Sequence, residues 1–100
     1  MSGRIIIFYD TITASKNREI TLSIGIIEDD SLLNQALEIA LQNAGYYTIS
    51  AHTRKEALDL LREKVDVFLI DIGLPDGNGI ELYQELQMEK RIPAIFLTAR

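Results

Sequence analysis

Cysteine is missing from all 100 residues, which removes disulfide staples and thiolate chemistry and suits a reducing compartment. A basic surface is missing too: ten Lys and Arg stand against fifteen Asp and Glu, for a formal net charge of -5 and a pI near 4.7. That balance excludes a nucleic-acid or acidic-membrane surface, either of which needs a basic face. No long apolar run is present. Ile5-Ile6-Ile7-Phe8-Tyr9 is cut by Asp10, too short for a signal-peptide core and far short of the ~20 residues that span a bilayer. The single histidine, His52, has neither a second histidine nor a cysteine with which to share a metal, and it reads as a solvated loop residue. The expectation is a cytoplasmic chain with no membrane segment and no direct nucleic-acid contact.

What is present is enough apolar matter for one small core, since 47% of the residues are hydrophobic. From about Leu22 the pattern alternates between strand-like and helix-like segments. Ile24-Gly25-Ile26-Ile27 is a first strand. Asp30 or Ser31 can cap a helix, and Leu32, Leu33, Ala36, Leu37, Ala40, Leu41 and Ala44 repeat at helical spacing until Gly45. A short strand follows over residues 46–50, with at least one of Tyr46 and Tyr47 in the core. Thr53-Arg54-Lys55-Glu56 has capping-box spacing, and the helix it starts runs to about Lys64, buried through Ala57, Leu58 and Leu61. Residues 65–70 form a second continuous apolar strand, the mark of a central parallel position covered on both faces. The stretch 74–79 is dense in turn residues. A third helix, packed through Ile80, Tyr83 and Leu86 with Leu82 on its flank, ends near Lys90, and Ala94-Ile95-Phe96-Leu97 is a last strand delivering Thr98. Strand and helix alternating in this way predict an α/β, doubly wound parallel sheet with right-handed crossovers.

Two of these strands end in acid. Glu28, Asp29 and Asp30 follow the first, and Asp71 follows the second. If the two strands are neighbours, three or four carboxylates converge at the carboxyl edge of the sheet, where ligands bind in such folds. Their mutual repulsion calls for protons or a hard cation. Singly, the acids at 28–30 also suit a helix start, where the macrodipole favours negative charge, and Asp71 also suits a turn. Gly77 and Gly79 lack the third glycine and the preceding strand of a dinucleotide fingerprint, and read as a tight turn.

Ile26-Ile27-Glu28-Asp29-Asp30, then Asp71-Ile72-Gly73-Leu74-Pro75-Asp76-Gly77-Asn78-Gly79, then Phe96-Leu97-Thr98-Ala99-Arg100 resemble, in order, the successive signatures of a bacterial response-regulator receiver domain. The resemblance covers residues 21–100. It implies a flavodoxin-like fold, a phosphoacceptor at Asp71, and a Mg²⁺ site made from Glu28, Asp29, Asp71 and the Gly73 carbonyl. It also implies a switch at Thr98 with small Ala99 beside it, and a histidine kinase or small phosphodonor as partner. The chemistry agrees: Mg²⁺ takes one or two carboxylates and leaves the rest of its shell to water and phosphate oxygen, and an aspartate can act as nucleophile toward phosphorus. Such a domain is a switch, catalysing at most its own phosphorylation and dephosphorylation.

The family's pattern continues past Thr98 with another helix, a fifth strand carrying a lysine, and a last helix, for which this sequence has no counterpart. Residues 1–20 are an extra segment holding a strand candidate at 4–9, before the receiver segment 21–100. The sheet is therefore expected to be incomplete at its C-terminal edge, and the first strand, from the same chain or a partner, to complete it, with a homo-oligomer, segment-swapped or otherwise obligate, as the expected form. Two alternatives stand beside the signalling reading: a truncated, recombined or engineered scaffold that keeps the acidic pocket without signalling, and a flavin or nucleotide binder using the same strand ends.

Overall fold

The computed structural model describes residues 21–97. The expectations placed on residues 1–20, on Thr98 and on Ala99 lie outside the described residues. β1 (Ser23–Ile27) leads to α1 (Ser31–Asn43), β2 (Tyr47–Ala51), α2 (Arg54–Asp59), a 3-10 turn (Leu60–Arg62), β3 (Val67–Asp71), α3 (Gly79–Glu89) and β4 (Ala94–Leu97). All strand pairs are parallel, and the order across the sheet is β2-β1-β3-β4. The chain steps outward from β1 to β2 and then back across β1 to β3, so the strand order reverses between β1 and β3.

α1 starts where Asp30 accepts the Leu32 and Leu33 N–H groups at 3.0 and 3.1 Å, which satisfies donors that the first turn cannot pair internally. It stops in a Schellman motif. Tyr46 N–H reaches Leu41 O and Gly45 N–H reaches Gln42 O, both at 3.0 Å, with Gly45 at φ 99°, a left-handed conformation that glycine adopts without penalty. Tyr46 and Leu41 then share one core cluster, the apolar contact that accompanies this cap. Tyr47, its neighbour, is exposed.

The core has two parts, one on each face of the sheet. Ile24, Ile26, Val67 and Leu69 meet Leu33, Leu37 and Leu41 of α1. Ile27, Phe68 and Ile70 meet Leu60, Leu82 and Leu86 on the other face. Consecutive residues of β1 and β3 therefore point into different clusters, which is why their sequences are apolar without alternation.

Several expectations shift. Leu32 is 78% exposed and Ala36 is also at the surface; a seven-residue stripe spreads over more of the helix than one sheet face can cover. α2 ends at Asp59 and tightens into the 3-10 turn, so Ala57 and Leu60 are buried while Leu58 and Leu61 are half-buried. On α3 the buried pair is Leu82 and Leu86, whereas Ile80 is exposed and Tyr83 half-buried. Tyr83 instead meets the edge of Phe96 on β4, ring centroids 5.4 Å apart. β3 begins at Val67, two residues later than expected, after Asp66 has accepted the Ser23 N–H at 2.8 Å.

Candidate functional site

Because Ile27 pairs with Ile70 in the parallel register of β1 and β3, the residues that follow them, Glu28 and Asp71, arrive together at the carboxyl edge. Asp29 joins them: one carboxylate oxygen from each of Glu28, Asp29 and Asp71 lies within 4.8 Å of the others. Glu28 is 1% exposed and Asp71 6%, while Asp29 faces solvent. Two like unit charges at such a separation repel by on the order of 3 kcal/mol at an effective dielectric constant of ~20, less where solvent reaches Asp29. The cluster is sited at the reversal of strand order, where open α/β sheets bind ligands.

Local hydrogen bonds fix the frame around it. Glu28 N–H donates to Ala51 O at 3.0 Å, and one Glu28 carboxylate oxygen accepts the Asp30 N–H at 3.1 Å. Asp30 itself caps α1 and does not join the cluster. The helix-start reading of the acids at 28–30 therefore holds for Asp30, the third of them. Asn34, buried on α1, donates its amide to Glu28 O at 2.9 Å and to Ala51 O at 3.3 Å. It ties the ends of β1 and β2 to the helix.

On the β3 side, Asp71 Oδ1 accepts the Gly73 N–H at 3.2 Å. A Cβ built on Gly73 would meet no atom within 4 Å, so the backbone there is open to an approaching group. Gly79 is the opposite case: its Cβ would lie 2.3 Å from Asp71 O and 2.8 Å from Ile72 Cα. The first residue of α3 is pressed on the backbone that carries Asp71, and Gly79 N–H closes the loop onto Ile72 O at 2.8 Å. Gly77 makes the turn, its N–H 3.5 Å from Leu74 O.

The structure thus brings Glu28, Asp29 and Asp71 together with Gly73 alongside. His52 takes no part in the cluster; its N–H donates to Glu56 at 2.8 Å. Glu56 therefore reaches one residue beyond the expected capping-box partner, while Thr53 Oγ1 accepts the Glu56 N–H at 3.2 Å as expected. Asn34 is a residue that the pattern analysis passes over, although it shares the i, i+3, i+7 spacing of Leu37 and Leu41 and so sits on the buried stripe.

The response regulator receiver domain, as a sequence family, matches residues 24–100. The chain belongs to that family. Over 75 residues it is 37% identical to the transcriptional regulatory protein CpxR of Escherichia coli, the match covering 75% of this chain and 32% of CpxR. It spans about a third of the length of the curated relatives it matches. Among solved structures it is similar to the non-phosphorylated HemR receiver domain from Leptospira biflexa, with 34% identity and a TM-score of 0.75 over 80% of this chain and 66% of that one. It is also similar to the MaeR response regulator bound to beryllium trifluoride, with 30% identity and a TM-score of 0.71 over 81% and 69% of the two chains. This chain is a flavodoxin-like receiver module of two-component signalling. Among its described residues no helix is long and apolar enough to cross a membrane.

Proposed function

We propose that this receiver is switched by phosphorylation of Asp71, in a site where Glu28, Asp29, Asp71 and the Gly73 carbonyl hold Mg²⁺. The observation that carries the reading is the convergence of three carboxylates within 4.8 Å at the reversal of strand order. The donor set fits the ion, which takes few carboxylates and keeps room for water and phosphate oxygen, and the open backbone at Gly73 leaves that room. When bound, Mg²⁺ supplies positive charge against which phosphate oxygens can approach an acidic pocket.

A carboxylate oxygen of Asp71 attacks phosphorus, the bond from phosphorus to the leaving group breaks, and its electron pair departs with that group. The leaving group is acetate from acetyl phosphate, or an imidazole nitrogen when the donor is a histidine kinase. Attack of water on phosphorus reverses the state, returning the Asp71 carboxylate and inorganic phosphate. Self-phosphorylation and self-dephosphorylation are the only catalysis the proposal includes. The added charge and acceptor oxygens then act on the Thr98 hydroxyl, with small Ala99 beside it in the sequence leaving room.

Incubation of the protein with Mg²⁺ and acetyl phosphate, read by intact mass, is expected to give one phosphoryl adduct that Asp71→Asn abolishes. An adduct that survives Asp71→Asn moves the acceptor elsewhere. Mg²⁺ uptake with no adduct favours the non-signalling scaffold.

A further inference from the structure

Between β3 and α3 the chain makes an excursion, residues 72–78, that is locked at its base by Gly79 and held at its tip by a residue from a different element. Arg54, the first residue of α2, donates its backbone N–H to Asp76 Oδ1 at 2.8 Å. Its stem lies over Gly77, where a Cβ would come within 3.0 Å of Arg54 Cδ; glycine is what lets the stem pass. Its guanidinium donates from Nε to Glu85 Oε1 on α3 at 3.1 Å, and Nη2 bonds the same oxygen. One side chain and its own amide therefore join α2, the loop tip and α3. The Glu85 hydrogen bond and charge raise the guanidinium's proton affinity, desolvation works against them, and Asp76 and Glu81 add smaller increments to the rise.

The Arg54–Glu85 ion pair by itself contributes little to stability. The Arg54 and Glu85 side chains are 39% and 40% exposed, and ion pairs with such exposure contribute about 0–1 kcal/mol. What the contacts do determine is where the loop tip lies. The same loop contains Gly73, whose N–H meets Asp71 and whose carbonyl the proposed function gives to the metal.

We propose that Arg54 is a positioning residue for the metal site, pinning the loop 72–78 between α2 and α3 so that the backbone at Gly73 is already placed beside the carboxylate cluster. The proposal rests on the phosphoacceptor reading of that cluster. It makes Glu85 and Asp76 parts of the same device, although neither touches the site. A loop placed in advance loses less freedom when a cation binds, so the effect falls on affinity rather than on the phosphoryl step.

The test is calorimetric titration of the full chain with MgCl₂, comparing the parent with Arg54→Gln, Glu85→Gln, their double variant, and Asp76→Ala, which removes the acceptor of the Arg54 backbone N–H. Outer-shell partners of metal sites typically contribute about 10–100-fold in affinity, and for a half-exposed residue acting through a loop a weakening of about 3–10-fold is expected. The double variant should bind no more weakly than Arg54→Gln alone, because both substitutions break the one Arg54–Glu85 link, whereas Asp76→Ala removes the bond at the loop tip itself and is expected to weaken binding to a similar degree. Two further readouts separate positioning from general damage. In metal-free protein, hydrogen exchange at the amides of residues 73–78 should quicken in Asp76→Ala and in Arg54→Gln while that of β1 and β3 stays unchanged. At saturating Mg²⁺ the rate of adduct formation from acetyl phosphate should stay within about twofold of the parent. Variants that bind Mg²⁺ as tightly as a binding-competent parent overturn the positioning role and leave the site reading intact. A parent that takes up no Mg²⁺ overturns both.

Discussion

Replacing Gly79 by alanine sets two effects of opposite sign against each other. Gly79 is the first residue of α3, and alanine is the better helix former by about 1 kcal/mol at interior positions, less in the first turn. Against that gain, the new methyl carbon would sit 2.3 Å from the Asp71 carbonyl oxygen, 2.8 Å from Ile72 Cα and 2.9 Å from the Asp71 carbonyl carbon. All three are backbone atoms, so no rotamer change relieves the contact; α3 or the end of β3 must move. Overpacking of a tight site costs about 1–3 kcal/mol, and unyielding neighbours place this substitution toward the upper end. The net loss is about 2 kcal/mol. With a urea slope of roughly 1 kcal/mol per molar for a small domain, the unfolding midpoint falls by about 2 M. Urea unfolding followed by far-UV circular dichroism measures it, with the slope checked for constancy between parent and variant. Because the displaced atoms carry Asp71, the variant should also accept a phosphoryl group from acetyl phosphate more slowly at urea concentrations where it is fully folded. A variant as stable as the parent would refute the view that α3 is seated by contact with the strand end, and would make helix propensity the larger effect at this position.

Two other outcomes are expected. Asn34→Ala removes the donor to Glu28 O and Ala51 O and leaves buried carbonyl capacity unmet, for a loss of about 1–3 kcal/mol; Ala51 O still accepts the Glu28 N–H, which limits the loss, and thermal unfolding measures it. For the edge-to-face pair of Tyr83 and Phe96, a double-mutant cycle to leucine should return a coupling of about 0.5–1.5 kcal/mol, and additive losses would show that the two rings act independently.

The acidic strand ends are readable from the chain because a strand covered on both faces has no interior place for a carboxylate, so Glu28, Asp29 and Asp71 stand out against Ile24–Ile27 and Val67–Ile70. The parallel sheet follows from the same continuity of apolar residues. Which arc of a helix faces the sheet is less legible. Periodicity favours Ile80 and leaves Leu82 on the flank, whereas the structure buries Leu82 and exposes Ile80, with Gly79 seated against the backbone of Asp71, which belongs to another element. Arg54 carries no local signal at all. It lies inside a stretch whose clearest message is the start of a helix, and its partners Asp76 and Glu85 reach it only through the packing of α2 against α3. Asn34 is the middle case: a polar residue on an apolar stripe, next to a strand end, marks a buried hydrogen-bonding duty, though not the carbonyls it serves.

The carboxylates of this site come from two strands that are neighbours in space and not in sequence. While β1, α1 and β2 alone are in place, Glu28 and Asp29 have no third acid to repel. Pairing β3 with β1 brings in the third acid, Asp71, and the same pairing buries Phe68, Leu69 and Ile70. The added repulsion and the apolar burial that offsets it are therefore coupled in one strand pairing. A cation that binds the finished cluster stabilises the assembled sheet and none of its parts. On the proposed metal reading, added Mg²⁺ acts on the whole as a folding ligand, and the integrity of the β1–β3 seam is followed by how far the cation shifts the unfolding midpoint.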